Sequence, residues 1–209
     1  MRGAEIAMIK VVPHTLIRLQ DGTLGHLTKR IDRTSDGGKI PMEDMCQLTE
    51  RQTEYKYKSS YEQIAKVIAK YSYVPLLDLT DFYEQVFFSW LVGNNDMHLK
   101  NFSLYAPKGK WFLTPAYDLL NVSMVNPKDT EELALTLNGR KKRMKKSDFV
   151  SAMTLSGIAP KVFDNMLEKF RKLLPKFYDM IDMSFLDDEC KDAYKQGLTS
   201  RLERMSAQR

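Results

Sequence analysis

The stretch that most constrains the fold is Phe82–Val92, with the sequence FYEQVFFSWLV, which is apolar on nearly every side of a helix. A helix with apolar residues on all faces has to be buried, and Gly93, directly after it, is the residue type that most often ends a helix. The polar run NNDMHLKN follows at residues 94–101. Polar side chains at the end of a buried helix rest on a rigid support. The sequence therefore predicts a functional site there.

The residues with the strongest chemical signal are Asp96, Asn101 and Asp118. Asp96 and Asn101 have the Asp-x-x-x-x-Asn spacing of a kinase catalytic loop, in which the aspartate accepts the proton of the acceptor hydroxyl and the asparagine holds Mg²⁺. Asp118 follows a predicted hairpin of residues 102–105 and 111–113. Alone, each residue type is more often a turn former or a cap. Their combination predicts Asp96 as catalytic base and Asn101 and Asp118 as metal ligands.

His98 and Lys100 lie inside the same polar run, and two interpretations of them stay open. Close to a nucleotide, His98 could bind phosphate and Lys100 could neutralise charge on the transferred group, which would make both catalytic and His98 also cofactor-binding. The alternative is that both only support the loop. A zinc site is disfavoured because the other histidines, His14 and His26, lie far upstream.

The pattern Gly-x-x-Asp-x-His-x-Lys-Asn-Phe at residues 93–102, followed by Thr-Pro-x-Tyr-Asp-Leu-Leu at residues 114–120, resembles the HipA-like serine/threonine kinases, the toxin half of bacterial toxin-antitoxin pairs. The resemblance covers most of residues 9–185 in order. It implies a mainly α fold with small β-hairpins (α+β), which is the C-terminal lobe of a protein-kinase-like fold plus the hinge edge of the N-lobe. It also implies ATP and Mg²⁺ as cofactors, with Asp118 near the nucleotide.

The resemblance also implies a domain division and a hinge. Asp21-Gly22 between two apolar runs predicts a hairpin, and the resemblance places Lys29 and Ile31 just after it, where backbone groups pair with adenine. The alternative for Lys29 is an exposed basic edge. Residues 1–33 are then a remnant of the N-lobe with helix end, hairpin and hinge. Residues 34–209 form a helical C-lobe with the catalytic loop and the metal-binding hairpin.

The Gly-rich loop and the strand lysine that grip the phosphates of ATP in this family have no counterpart in the chain. Because such electrostatic stabilisation is among the largest catalytic terms, we expect the chain alone to be a poor kinase or inactive. Two alternatives follow: half of a split kinase with a separate N-lobe chain, or a catalytically incompetent module that binds an antitoxin or a DNA-bound regulator. The partners implied by the resemblance are a protein substrate, such as an aminoacyl-tRNA synthetase, and a DNA-binding antitoxin.

Further predictions concern individual segments. Leu133–Leu137 and Asn138-Gly139 predict a hairpin with a basic return strand, in which Arg140, Lys141, Lys142 and Arg143 could meet nucleic acid weakly or indirectly but more simply form a solvated edge. Pro41 predicts the start of a helix that carries Glu43 and Asp44 with no role in the site. Pro175 should kink or end a helix that begins at Pro160. Tyr55 and Tyr57 are expected to be packing and rim residues.

Composition agrees with a globular protein in a reducing compartment. Hydrophobic residues make up 43% and charged residues 28% of the 209-residue chain, which is ordinary for a folded domain. Cys46 and Cys190 are far apart, which argues against a disulfide or zinc framework. No apolar run reaches the length of a membrane span. We therefore expect a cytoplasmic protein without membrane contact.

Overall fold

The computed structural model describes residues 1–206. Its helices are α1 Arg2–Ile6, α2 Met45–Leu48, α3 Tyr61–Tyr71, α4 Pro75–Val92, α5 Val122–Val125, α6 Lys146–Leu155, α7 Pro160–Asp182 and α8 Asp188–Ser206. Its strands are β1 His14–Arg18, β2 Leu24–Thr28, β3 Met42–Asp44, β4 Ser103–Tyr105 and β5 Phe112–Leu113. The predicted fold class, mainly α with small antiparallel sheets, is confirmed. None of the described helices combines the length and the apolar character needed to cross a bilayer.

Helix α4 is the centre of the core, as its sequence predicts. Phe87 lies midway along it, with ring centroids 5.7 Å from Trp90, 5.3 Å from Phe149, 5.0 Å from Phe163 and 5.4 Å from Phe170. Edge-to-face contacts at these distances add to the free energy gained by burying the rings. Side chains of α6 and α7 therefore close over one face of α4. This packing holds the C-terminal half of α4 in a fixed position in the core.

Gly93 ends α4 in the left-handed region, with φ +80°, as predicted. Its N–H caps the helix by donating to Trp90 O at 3.3 Å, and the N–H of Asn94 donates to Ser89 O at 2.8 Å. A Cβ at Gly93 would overlap Ser123 Oγ and lie 2.8 Å from Asn121 Oδ1. Glycine is thus required here both by the backbone conformation and by the close approach of a neighbouring segment.

Two separate sheets flank this helical core. Strands β1 and β2 form the predicted hairpin around Asp21-Gly22, and most of its side chains are exposed on both faces, including Leu16 at 54% and Leu27 at 50%. Strands β4 and β5 form the second predicted hairpin, and β3 adds a third antiparallel strand in which Asp44 pairs with Ser103. The small three-stranded sheet therefore carries both the segment after the candidate loop and the segment around Asp44.

The predicted helix at Pro41 is wrong. Residues Met42–Asp44 form strand β3 instead, and α2 begins only at Met45 with Asp44 as its N-cap. The Asp44 side chain accepts from the N–H of Gln47 at 3.0 Å, and the Gln47 side chain accepts from the N–H of Asp44 at 2.9 Å. Pairing with a distant strand supplies hydrogen bonds to the backbone before the cap, which local sequence does not reveal.

Two further segments differ from expectation. The turn at Asn138-Gly139 is present, with one antiparallel bridge between Leu137 and Arg140, but the described residues form no regular return strand. Thr136 instead makes a parallel bridge with Ser60 at the start of α3, which removes it from any local hairpin. Pro175 does not end helix α7, which continues to Asp182, and a kink at Pro175 stays a prediction. Burial of Phe177 and Ile181 beyond the proline offsets the lost backbone hydrogen bond.

Candidate active site

The predicted metal ligands lie side by side. Asn101 Nδ2 donates to Asp118 Oδ2 at 2.6 Å, and Asn101 Oδ1 accepts from the N–H of His98 at 3.2 Å. Asp118 has φ +57°, a left-handed conformation that aspartate tolerates better than most residues. Asn94, just after the helix end, donates through Nδ2 to Asp118 O at 3.3 Å. The end of α4 thus holds the segments that carry Asp96, Asn101 and Asp118 together.

The donor set around Asp118 suits a hard cation. Asp118 Oδ1 accepts no hydrogen bond from the described residues, so one carboxylate oxygen is available, while Asn101 meets Asp118 through Nδ2 and its Oδ1 accepts from the N–H of His98. Mg²⁺ is usually held by one or two carboxylates together with phosphate oxygens and water, not by a full protein cage. Residues 1–206 contain no group of three or more His, Cys, Asp or Glu side chains placed to hold a metal. The Asp118 carboxylate suits Mg²⁺ that arrives with a nucleotide, and Asn101 would join it through Oδ1, the metal-binding atom of its amide.

Asp96 has a partner that sequence reasoning missed. The hydroxyl of Tyr57 donates to Asp96 Oδ1 at 2.6 Å, and the Tyr57 ring meets His98 edge-on, with centroids 5.0 Å apart. Burial, together with the hydrogen bond to Asp96, raises the pKa of Tyr57 to about 12, so the phenol remains a donor at neutral pH. Tyr57 was expected to be a rim residue. Tyr57 lies 39 residues before Asp96 in the sequence, and no local sequence pattern indicates that the two are in contact.

His98 is buried beside this pair, and its Nδ1 atom has no hydrogen-bond partner among the described residues. Burial lowers the pKa of His98, and the nearby Lys56 acts in the same direction. The imidazole is therefore neutral at pH 7 and keeps one nitrogen able to accept and one able to donate. It can bind an added polar group without a change of charge.

Lys100 is paired with Asp44, a residue for which the sequence predicts only a place at the start of a helix. Its Nζ atom lies 2.6 Å from Asp44 Oδ2, and the hydrogen bond to Asp44 raises the pKa of Lys100. The expectation that nothing pairs Asp44 with the candidate loop is therefore wrong, whereas its expected place at a helix start is observed, since it caps α2. The physical reason is the pairing of β3 with β4, which brings Asp44 opposite Ser103, close in sequence to Lys100.

A cavity of about 380 Å³ joins the predicted hinge to Lys100. Lys29 and Ile31 line one side, while Asp44, Lys100 and Tyr117 line the other. The Tyr117 hydroxyl donates to Lys100 O at 3.1 Å. This hydrogen bond holds Tyr117, the residue before Asp118, against the candidate loop. Asp96, Asn101 and Asp118 do not line this cavity themselves. The structure thus brings the predicted hinge residues and Lys100 to one space, and the predicted metal ligands Asn101 and Asp118 lie outside its lining.

The basic segment Arg140–Lys146 is largely engaged with neighbours. Lys141 Nζ lies 3.1 Å from Glu131 and Lys146 Nζ lies 2.6 Å from Asp164. Lys142 Nζ donates to Thr130 Oγ1 at 2.6 Å. Arg140 Nε is 3.9 Å from Asp148. These contacts agree with a solvated edge more than with a bare basic patch.

Comparison with known proteins agrees with this geometry. The family model for the HipA-like C-terminal domain matches residues 1–177. Two curated relatives, both named putative kinases, are Y4dM of Sinorhizobium fredii, 35% identical over 136 residues, and a Haemophilus influenzae protein, 42% identical over 65 residues. The first match covers 64% of this chain and the second 31%. The matched parts make up 31% and 19% of those two proteins, so the chain corresponds to a minor part of each.

Two solved structures share the fold. HipA of Shewanella oneidensis, solved with HipB and operator DNA, superposes with a TM-score of 0.85 at 20% identity over 99% of this chain and 54% of that one. The Helicobacter pylori proinflammatory kinase CtkA superposes with a TM-score of 0.66 at 13% identity over 97% of this chain and 74% of that one. Because the family model covers most of the sequence and the fold matches kinase-like structures, the chain belongs to the HipA-like C-terminal domain family.

Proposed function

We propose that this chain is the carboxyl-terminal lobe of a HipA-like serine/threonine protein kinase, which transfers the γ-phosphoryl group of ATP to a protein hydroxyl with the help of Mg²⁺. The observation that carries the proposal is that the fold brings the Asn101 and Asp118 side chains into contact, with 2.6 Å between Nδ2 and Oδ2. Both were predicted as metal ligands, Asn101 from its spacing to Asp96 and Asp118 from its position after the hairpin. A cation held by both residues would bind Asn101 through Oδ1, the oxygen of its amide.

In this proposal each residue has a defined task. Asp96 accepts a hydrogen bond from the acceptor hydroxyl and takes up its proton as the phosphoryl group transfers. Asn101 and Asp118 hold the metal, and bound Mg²⁺ neutralises charge on the phosphates. Neutral His98 binds a phosphate oxygen or the loop backbone, and Lys100 balances the developing charge when it leaves Asp44.

The nucleotide base is proposed to lie against Lys29 and Ile31. Both residues follow β2 and line the cavity. The N–H of Lys29 already donates to Pro13 O at 2.8 Å, so the carbonyl of Lys29 and the backbone groups of Ile31 are the ones proposed to pair with the adenine edge, while the triphosphate extends toward Lys100. The cavity volume of about 380 Å³ lies within the range of ordinary ligand sites. Lys29 need not act through its charge.

We further propose that a phosphate-gripping lobe packs on the β1–β2 hairpin. An isolated two-stranded sheet is marginal in water, and this one exposes Leu16, Ile17, Leu24 and Leu27. The lobe belongs either to a longer form of the same chain or to a separate chain that completes a split kinase. Residues 1–33 are then part of the N-lobe, and residues 34–209 form the C-lobe. Phosphoryl transfer by the chain alone is expected to be slow.

The test is binding of ATP with and without Mg²⁺, measured as a shift in melting temperature. A ligand that binds only the folded protein stabilises it by about 2.7 kcal/mol at a hundredfold excess over Kd, so a clear magnesium-dependent shift is expected. Asp118→Asn should abolish the magnesium-dependent part, and asparagine is chosen because it tolerates the left-handed backbone that alanine would strain. Asp188→Asn, on a fully exposed side chain, is the matched control. No shift in the wild type would contradict the proposal.

A second candidate is a non-catalytic module that binds a DNA-associated antitoxin. The support is the HipA structure solved with HipB and operator DNA, to which this fold is similar. Direct DNA contact through Arg140–Arg143 is expected to be weak because Lys141 and Lys142 are engaged with neighbours. Salt-sensitive duplex binding that is lost in Arg140→Ala/Arg143→Ala, together with the absence of an ATP shift, would favour this candidate. Lys172→Ala/Lys176→Ala on α7 is the control.

The biological setting is proposed from the family. The acceptor is a serine or threonine of a protein, with an aminoacyl-tRNA synthetase as one candidate, and the kinase acts in the bacterial cytoplasm as the toxin of a toxin-antitoxin pair. A purified synthetase incubated with ATP, Mg²⁺ and the assembled kinase should gain one phosphate by mass spectrometry, and Asp96→Ala should prevent it.

A further inference from the structure

The segment Lys56–Tyr61, which leads into α3, contacts the candidate loop at successive positions. Lys56 O accepts from the N–H of Leu99 at 3.2 Å, and the buried Tyr61 hydroxyl donates to Met97 O at 3.0 Å. Between these two backbone contacts, Tyr57 reaches the side chain of Asp96. The loop is therefore held from one direction by a single short segment.

The contact to Asp96 differs in kind from the other two. Tyr61 and Lys56 bind backbone groups and would hold a loop of any sequence, whereas Tyr57 binds the carboxylate through Oδ1. Tyr57 is the only described residue that donates a side-chain hydrogen bond to the Asp96 carboxylate. The backbone N–H of Asp96 donates to Asn94 Oδ1 at 3.3 Å and so fixes the main chain, but it leaves the side-chain rotamer free. The hydrogen bond from the Tyr57 phenol thus sets the orientation of the Asp96 carboxylate.

Tyr57 is itself held in place. His98 meets its ring edge-on, and Lys56 Nζ lies 5.0 Å from the ring centroid. Cation-π and edge-to-face contacts both restrict the direction of the ring. Because the Tyr57 ring is already restricted, its side chain loses little conformational entropy when the hydroxyl forms its hydrogen bond. This hydrogen bond occupies one oxygen of the Asp96 carboxylate and leaves the other oxygen for the acceptor hydroxyl.

We infer that Tyr57 is a positioning residue that orients the Asp96 carboxylate, with Oδ1 bound to the phenol and Oδ2 left for the acceptor hydroxyl. The inference rests on the proposed function, since it assigns the partner of the candidate base. Tyr57 donates one hydrogen bond and takes no part in the proton transfer. Productive orientation of a reacting group is a large part of catalysis, and loss of one fixed contact commonly lowers turnover without weakening nucleotide binding.

Tyr55 provides a matched control. Tyr55 and Tyr57 are both 42% exposed and lie in the same short segment, and each has a lysine ammonium 5.0 Å from its ring centroid. Tyr55 makes no side-chain hydrogen bond to a described residue. Because the backbone contacts of Lys56 and Tyr61 remain in either variant, Tyr57→Phe and Tyr55→Phe should fold equally well.

The first measurement follows the hydrogen bond itself, without any reaction. In protein labelled with carbon-13 at the tyrosine ζ position, the signal of Tyr57 is assigned by its absence in Tyr57→Phe. In Asp96→Asn, the acid dissociation constant of the Tyr57 phenol should rise about threefold or more, which means that its pKa falls. The reason is that the negative charge of the carboxylate no longer disfavours the phenolate. An unchanged constant would overturn the inference while leaving Asp96 as a candidate base.

The second measurement follows the reaction. Single-turnover transfer from γ-labelled ATP to myelin basic protein is compared between wild type and variants, with enzyme in excess so that slow transfer is measurable. Tyr57→Phe should lower the rate about tenfold, with the half-saturating concentration of ATP and the ATP-dependent melting shift unchanged, and Tyr55→Phe should match wild type. Equal rates for Tyr57→Phe and wild type would overturn the inference alone. In the kinase assembled with its phosphate-gripping lobe, a wild-type rate no higher than that of Asp96→Ala would overturn both the inference and the proposed function.

Discussion

Asp44 and Lys100 form an ion pair of 2.6 Å between residues far apart in sequence. The Asp44 carboxylate has two tasks, since Oδ1 caps α2 and Oδ2 binds the ammonium of Lys100. It therefore places a negative charge in the cavity that is proposed to take a triphosphate. The pair keeps the Lys100 ammonium bound to Asp44 until a stronger anion in the cavity competes for it.

We expect Asp44→Asn to tighten MgATP binding about three- to tenfold, because it removes a negative charge and frees Lys100. Asparagine is as good an N-cap as aspartate, so α2 should persist. Isothermal titration calorimetry measures the effect, and Glu43→Gln, one residue away, is the control. Equal or weaker binding in Asp44→Asn would show that the carboxylate orients Lys100 for the ligand instead of competing with it.

We expect Gly93→Ala to destabilise the protein more than Gly157→Ala. Both glycines have φ +80°, so the backbone cost of about 1–2 kcal/mol is common to them. A Cβ at Gly157 meets nothing within 4 Å, whereas at Gly93 it overlaps Ser123 Oγ. Overpacking should add about 1–3 kcal/mol at Gly93 only. Urea unfolding of both variants gives the difference, and equal losses would mean that the Asn121–Ser123 segment moves aside freely.

We expect Glu132 to contribute stability that depends on pH. Glu132 accepts from Trp90 Nε1 at 2.9 Å and from both Arg204 nitrogens, at 2.9 and 3.0 Å. Burial alone would raise the pKa of Glu132, but the hydrogen bonds from Trp90 and Arg204 outweigh it, and the pKa is lowered. The carboxylate therefore stabilises the fold above the unfolded pKa of about 4.3, and this stability is lost as the pH falls through the folded pKa.

Glu132→Gln should lower the free energy of unfolding at pH 7 by about 1–3 kcal/mol, since a hydrogen-bonded charge pair is broken. It should also flatten the fall in stability between about pH 5 and pH 3. Chemical unfolding at several pH values measures both effects, with Glu203→Gln on the exposed side of α8 as control. A variant with an unchanged acid slope would show that other carboxylates dominate acid unfolding.

We expect Phe87→Ala to cost about 3–5 kcal/mol, because it leaves a cavity among Trp90, Phe149, Phe163 and Phe170. Phe185→Ala, at a side chain that is 71% exposed, should change stability by no more than about 0.5 kcal/mol. Thermal unfolding monitored by circular dichroism compares the two. A small loss at Phe87 would mean that the core around α4 rearranges to fill the space.

Features that depend on neighbouring residues in sequence were predicted well. The helix end at Gly93, the hairpin at Asp21-Gly22 and the start of α7 at Pro160 follow from local backbone preferences, which act over a few residues in any fold. The site indicated by the spacing of Asp96 and Asn101 stays a prediction, which rests on that spacing being a requirement of kinase chemistry.

Features that depend on pairing between distant segments were not predictable in this way. Strand β3 forms because β4 lies beside it, so Asp44 became a partner of Lys100 and not a residue inside a helix. Helix α7 passes through Pro175 because burial of Phe177 outweighs a local penalty. Tyr57 reaches Asp96 because the segment that leads into α3 lies against the loop that follows α4.

The sequence by itself determined where the central helix ends and which oxygen-bearing side chains follow it, since both are properties of short stretches of chain. Only the tertiary structure decided which groups surround those side chains. The partners of Asp96 and Lys100 come from segments 39 and 56 residues away in sequence. Contacts of that separation are selected by the free energy of the whole packed fold, and no local preference encodes them.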